Sequence, residues 1–134
     1  MSNKFLTYVA LTALVLLIAV AITGLWSEGP LVVVETRYGL ATWYEDGMVA
    51  GGMPYHDGNH AAMWDVELGT RVRVTDLETG HSILVVVNDR GPARELVARG
   101  RVIDLTKSAF RYLVGGAGKD VVDVKVDILG RRRP

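Results

Sequence analysis

A run of 22 uncharged residues, at positions 5–26, is the feature that most restricts how this chain can fold. Leu, Val, Ile and Ala fill most of it, and its scattered threonines form no polar stripe at helical spacing. As a helix the run would be about 33 Å long, which matches the hydrocarbon core of a bilayer. We therefore expect this segment to enter a membrane.

Two interpretations of the segment remain open. It is either a signal peptide, with Lys4 as the basic residue and the small residues 19–21 as the cleavage site, or an uncleaved signal anchor. The apolar run continues to Trp26, further than a signal peptide requires, which favours the anchor. Both interpretations place the later residues outside the cytoplasm. The protein is then held in the cytoplasmic membrane through residues 5–26, or secreted if the segment is cleaved.

The charge balance and the cysteine count narrow the function classes. The whole chain carries 15 basic and 15 acidic residues, so it lacks the basic field that nucleic-acid binding needs. It contains no cysteine, which excludes both disulfide bonds and an N-terminal lipid attached through a thiol. The exported part must therefore fold through packing alone, and we expect a monomer.

The chain divides at changes in composition. We assign residues 1–27 to the signal segment, 28–36 to a linker, 37–129 to one folded domain and 130–134 to a basic tail. One modest domain is all that this length allows.

The folded domain is rich in strand patterns. Residues 71–75 alternate between apolar and polar side chains, residues 76–80 form a turn, and residues 82–87 are nearly all apolar, which predicts a hairpin whose second strand is buried on both faces. Residues 121–129 alternate again. A single helix is predicted over residues 106–113, capped by Thr106 and ended by the following glycines. Several short strands and one helix are typical of a small closed barrel or a sandwich.

Three phrases in order resemble one known family. Residues 39–44 (Gly-Leu-Ala-Thr-Trp-Tyr) resemble the opening strand of the rare lipoprotein A-like domains, and residues 69–75 resemble their central strand. Residues 87–92 (Val-Asn-Asp-Arg-Gly-Pro), followed by residues 101–106, resemble their signature loop and following helix. The resemblance spans almost the whole exported part.

The resemblance implies a mainly β fold, a six-stranded double-psi β-barrel with one short helix, behind the N-terminal membrane or signal helix. Expansins and barwin-like proteins share this barrel. Some relatives are lytic transglycosylases, which cut peptidoglycan between N-acetylmuramic acid and N-acetylglucosamine and leave an anhydro sugar. Others bind or loosen polysaccharide without cutting it. The implied partner is therefore peptidoglycan or a related polysaccharide.

The chemistry of a lytic transglycosylase points to Asp89 as the catalytic residue. The 6-hydroxyl of the sugar itself attacks the anomeric carbon, so one carboxyl group can serve first as acid and then as base. Asp89 directly follows an apolar strand, where a carboxyl would emerge at a barrel rim. The alternative is that Asn88 and Asp89 form a simple turn, with Asp89 paired to Arg90.

The family pattern differs from this sequence at two positions. The resemblance implies a catalytic Glu at position 53 and a His at position 63, and this chain has Met53 and Met63. Three interpretations therefore stay open: a wall enzyme, a glycan-binding or wall-loosening module, and a barrel that docks a protein.

Aromatic and polar residues near these phrases are candidates for sugar binding. The candidates are Trp43, Tyr44, Tyr55, His60, Asn88 and Arg90. Trp43 is also a candidate for packing in the barrel, and Arg90 for pairing with Asp104. His56 and His60 are placed on a wet loop rather than at a metal, so we expect no metal and no cofactor.

Overall fold

The structure is a computed structural model. It describes residues 2–18, the backbone of residues 19–25, and residues 29–45, 47 and 54–131. Helix α1 (Asn3–Leu25) and the barrel that follows belong to separate compact units. None of the helices in the described residues has the length and the apolar character that a membrane span requires.

Six strands close into a barrel. They are β1 (Leu31–Tyr44), β2 (His60–Ala62), β3 (Arg71–Asp76), β4 (Ser82–Asp89), β5 (Arg101–Thr106) and β6 (Val122–Arg131). Their order around the barrel is β1-β5-β2-β4-β3-β6. The pairs β1/β5 and β2/β4 are parallel, whereas β2/β5, β3/β4 and β3/β6 are antiparallel. The predicted six-stranded closed barrel is confirmed.

The barrel interior is filled by alternating apolar side chains. β3 buries Val72 and Val74, and β6 buries every second residue from Val122 to Ile128. Helix α3 (Lys107–Val114) adds the inward face that carries Phe110, a fully buried aromatic ring. Burying such side chains contributes about 1.5–3 kcal/mol each, which is how a chain without disulfides holds this shape.

Several sequence-based boundaries were wrong. Residues 31–36, assigned to the linker, form the first part of β1, where β-branched valines favour a strand and Val34 packs against Gly130. Residues 130 and 131, assigned to the tail, end β6. The strand over residues 82–87 is not buried on both faces, because it is antiparallel to β3 and turns Leu84 outward.

The helical segments also differ from the prediction. A short helix, α2 (Arg94–Val97), was not expected, and residues 101–106 form strand β5 ahead of α3. Thr106 does occupy the N-cap position of α3, but its hydroxyl donates to the carbonyl of Gly58 rather than capping the helix. The cap comes instead from Asp57, whose Oδ1 accepts the amide of Ser108 at 3.2 Å. α3 ends at Gly115, in a left-handed conformation as predicted.

Candidate active site

Two carboxyl residues are brought together by a row of residues across four neighbouring strands. Thr42 of β1 lies opposite Asp104 of β5, Asp104 lies opposite Ala62 of β2, and Ala62 lies opposite Asp89 of β4. Two strand spacings of about 4.8 Å place the backbones of the two aspartates about 10 Å apart. Ala62, a small and buried residue, lies between them in this row.

Irregular strand pairing occurs beside this row. The register shifts between residues 40 and 41 of β1, and again between residues 61 and 62 of β2. Such bulges re-aim side chains and are frequent next to functional sites. The second shift is the one that sets Ala62 opposite Asp89.

Asp104 is a half-buried carboxyl between two fully buried apolar residues of β5, Ile103 and Leu105. Burial raises the pKa of Asp104, although a hydrogen bond from the Thr42 hydroxyl and the positive charge of Arg101 act in the opposite direction. A carboxyl that keeps its proton more readily than usual is suited to act as a general acid. Asp104 was not a predicted site residue. The sequence signal was present, because a carboxyl interrupts the apolar stretch of residues 102–105.

Asp89 ends β4 at the barrel rim, as the sequence predicted. Its Oδ1 accepts the backbone amide of Arg90 at 2.7 Å, and its carbonyl accepts the amide of Met63 at 3.1 Å. This bond goes to the adjacent amide, whereas an Asx turn bonds the amide two residues on, and Asn88 Oδ1 has no partner among the described residues. The expected pairing with the guanidinium of Arg90 is not among the ion pairs of the described residues.

Tyr44 interacts electrostatically with both carboxyl groups, those of Asp89 and Asp104. Burial raises the pKa of Tyr44, and the negative charges of Asp89 and Asp104 and the nearby Tyr55 raise it further. The ring packs edge-to-face against Tyr55, with 5.5 Å between ring centroids. Its hydroxyl is buried and has no hydrogen-bond partner among the described residues. The phenol therefore keeps its proton and can donate it in a hydrogen bond.

Two further predicted site residues carry buried polar atoms without partners. These atoms are Nδ1 of His60 and Oδ1 of Asn88. Buried polar atoms are normally paired, so unpaired ones close to a carboxyl pair indicate a place for a ligand or water. His60 was placed on a wet loop from the sequence, and this was wrong: it begins β2 and is half-buried. In the described part of the chain, no three His, Asp or Glu side chains could together hold a metal ion.

Arg90 links two loops through side-chain hydrogen bonds. Its Nη1 donates to the carbonyls of Met63, at 3.2 Å, and Val66, at 2.5 Å. Trp64 adds a second tie, because its Nε1 donates to the carbonyl of Pro92 at 2.6 Å. The guanidinium of Arg94 covers the Trp64 ring at 3.8 Å. No pairing of Arg90 with Asp104 occurs among the described side chains, and the Arg90 guanidinium is already engaged with main-chain oxygens.

Trp43 is held in the barrel wall. It packs against the core, and its Nε1 donates to Asp120 Oδ1 at 3.0 Å. The ammonium of Lys107 lies 4.9 Å from the ring centroid. These contacts agree with the packing alternative for Trp43.

A family model described as lytic transglycolase matches residues 36–126. The chain belongs to this family. A barrel of the same fold is found in the Streptomyces papain inhibitor, with a TM-score of 0.55 and 24% identity over 72% of this chain and 96% of that one. This likeness shows the fold.

Named relatives of the lytic transglycolase family align with the barrel. A probable endolytic peptidoglycan transglycosylase RlpA from Nostoc sp. is 41% identical over 100 residues, which are 69% of this chain and 26% of that protein. The endolytic peptidoglycan transglycosylase RlpA of Pasteurella multocida is 33% identical over 69% of this chain and 32% of its own length. That of Pseudomonas aeruginosa is 39% identical over 66% and 26%. The chain thus spans about a third or less of each of these relatives.

This member of the lytic transglycolase family departs from the pattern at one position that the structure describes. Met63, where the resemblance implies a His, is fully buried in the hydrophobic core. Met53, where the resemblance implies a Glu, lies outside the described residues. Among the described residues, the carboxyl groups in the row are those of Asp89 and Asp104.

Proposed function

We propose that this barrel acts on cell-wall glycan and cuts the bond between N-acetylmuramic acid and N-acetylglucosamine as a lytic transglycosylase. The row that brings Asp104 and Asp89 to either side of Ala62 is the observation that carries the proposal. The transglycosylase names of the relatives add support, although the chain matches only part of each.

The two carboxyl groups have different tasks in this proposal. Asp104, whose pKa is raised by burial, gives its proton to the glycosidic oxygen as the bond to the anomeric carbon breaks. The resulting carboxylate then takes the proton from the sugar 6-hydroxyl as that oxygen bonds to the anomeric carbon, and Asp104 ends protonated. Asp89 stabilises the positive charge that develops on the sugar ring.

The test is digestion of purified peptidoglycan sacculi by the full chain, with products identified by mass spectrometry. Anhydro-ended fragments are expected from the native protein. Asp104→Asn is expected to lower their rate of release by about 10²–10⁴, the usual contribution of a general acid. Asp123→Asn, at an exposed carboxyl on β6, is the matched control and is expected to act like the native protein. Intact sacculi after digestion by the native protein would overturn the proposed cleavage.

A second candidate function is glycan binding without cleavage. The burial of Met63 favours it, because an apolar core residue stands where the resemblance implies a polar one. Retention of the protein on sacculi that it leaves uncut would select this function.

The proposal places the barrel outside the cytoplasmic membrane, where peptidoglycan lies. The uncharged residues 5–26 support export, with either cleavage or retention of the segment. Protease added to intact spheroplasts is expected to digest the barrel. Protection of the barrel until the cells are lysed would contradict this placement.

A further inference from the structure

A groove lies on the barrel wall between the start of β4 and helix α3. Two adjoining cavities of about 440 and 290 Å³ share Ser82 and Tyr112 in their linings. The larger cavity is also lined by Asn59, Leu84 and Ser108. We call this surface, between the start of β4, the residues before β2 and helix α3, the Tyr112 groove.

The Tyr112 side chain has no role in the core. Helix α3 buries its opposite face, including Phe110 and Leu113, while Tyr112 is 70% exposed. An exposed phenol ring offers an apolar face for stacking and a hydroxyl for hydrogen bonding. Leu84, 47% exposed, adds apolar surface at the same place.

The polar groups of the larger cavity are neutral, and His81 lines the smaller one. Asn59, Ser82 and Ser108 supply amide and hydroxyl groups, and no residue lining the larger cavity carries a formal charge. An aromatic face among neutral donors and acceptors suits a neutral sugar ring better than a peptide carboxylate or a phosphate, which would call for Arg or Lys.

Hydrogen bonds link the groove to Tyr55, a neighbour of the candidate active site. Ser108 donates through its hydroxyl to Asp57 at 2.8 Å, and the hydroxyl of Tyr55 donates to the same oxygen at 3.0 Å. Tyr55 in turn packs against Tyr44, beside the carboxyl pair. Along β4, Ser82 of the groove lies seven residues before Asp89, about 23 Å in an extended strand.

We propose that the Tyr112 groove is a second saccharide-binding subsite, which holds a further part of the same glycan strand. This inference rests on the proposed function and adds a location for the uncut part of the substrate. A subsite at this distance contacts long strands and is out of reach of short oligosaccharides seated at the carboxyl pair. Its contribution should therefore depend on strand length.

The experiment compares binding of the full chain to long, peptide-free glycan strands and to tetrasaccharides, both prepared from sacculi. Tyr112→Ala and Asn59→Ala are each tested. Tyr112→Ala is expected to weaken binding of long strands about tenfold. Neither variant should change binding of tetrasaccharides, and Tyr112→Phe should retain most of the affinity. The matched control is Tyr38→Ala, at a tyrosine 64% exposed on β1 and outside the groove, which should bind like the native protein.

The outcomes separate this inference from the proposed function. If the native chain binds long strands and both groove variants bind them equally well, the subsite is refuted and the proposed function stands. Equal weakening by Tyr38→Ala would also refute it, because any exposed tyrosine would then do the same. If the native chain binds no glycan of either length, both the subsite and the proposed function fail.

Discussion

Asp104 and Gly91 lie against each other across the candidate active site. The Oδ2 atom of Asp104 is 3.8 Å from the position that a β-carbon on Gly91 would occupy. The same position is 3.1 Å from the β-carbon of Ala62, tighter than most real contacts. The loop that follows Asp89 thus approaches β2 and β5 closely, and a glycine allows it to do so.

Gly91→Ala is expected to push this loop away from Ala62 and to lower the rate of glycan cleavage by about tenfold or more, because misplacing a catalytic group by about 1 Å can cost 10²-fold. The loss should be partly reversed in the double variant Gly91→Ala/Ala62→Gly, which removes the methyl group that the new side chain meets. Release of anhydro-ended fragments measures both. A double variant no better than Gly91→Ala alone would contradict this explanation.

Asp104→Asn is expected to stabilise the fold at neutral pH while it lowers the rate of cleavage. Burial raises the pKa of Asp104, so the folded state loses stability as the pH rises from the unfolded pKa through the folded pKa. An amide does not ionise and can still accept the Thr42 hydrogen bond. The thermal midpoint of the variant should therefore exceed that of the native protein at pH 7 and approach it at pH 3. A lower midpoint at pH 7 would show that ionised Asp104 stabilises the fold.

Arg90→Ala is expected to destabilise the fold by about 1–3 kcal/mol, because the carbonyls of Met63 and Val66 lose their donor. Arg90→Lys should recover part of this loss, since an ammonium can reach one carbonyl. Denaturant unfolding measures the stability of both variants. Glycan affinity, measured at a temperature where all variants are folded, should change less than twofold. Normal stability with a large loss of affinity would instead assign Arg90 to substrate binding.

The parts of the fold that were predictable are local in sequence. The hairpin of β3 and β4 follows from alternation and a turn, and α3 ends at Gly115 because a left-handed residue favours glycine. The boundaries that failed depend on distant partners. Residues 31–36 were assigned to a linker because no feature near them in the sequence shows that β1 closes the barrel.

The same contrast, between features that are local in sequence and features that depend on distant partners, holds for the candidate site. Asp89 was a candidate because it ends an apolar strand. Asp104 was missed, because a carboxyl within an apolar stretch does not by itself show that the row through Thr42 and Ala62 places it near Asp89. The contacts of Arg90 also could not be predicted from the sequence. The sequence predicts substrate binding or an ion pair for Arg90, and only the folded chain shows that its guanidinium binds main-chain oxygens.

Asp57→Ala is expected to destabilise the fold by about 1 kcal/mol at pH 7, the usual loss of a helix cap. The hydroxyl and amide of Ser108 and the hydroxyl of Tyr55 donate to Asp57, and the Ser108 hydroxyl contributes most to lowering the pKa of Asp57. A lowered pKa gives stability that is present above the unfolded pKa and lost as the pH falls through the folded pKa. The difference in unfolding free energy should therefore narrow toward pH 2, and an equal difference at both pH values would exclude the ionised cap.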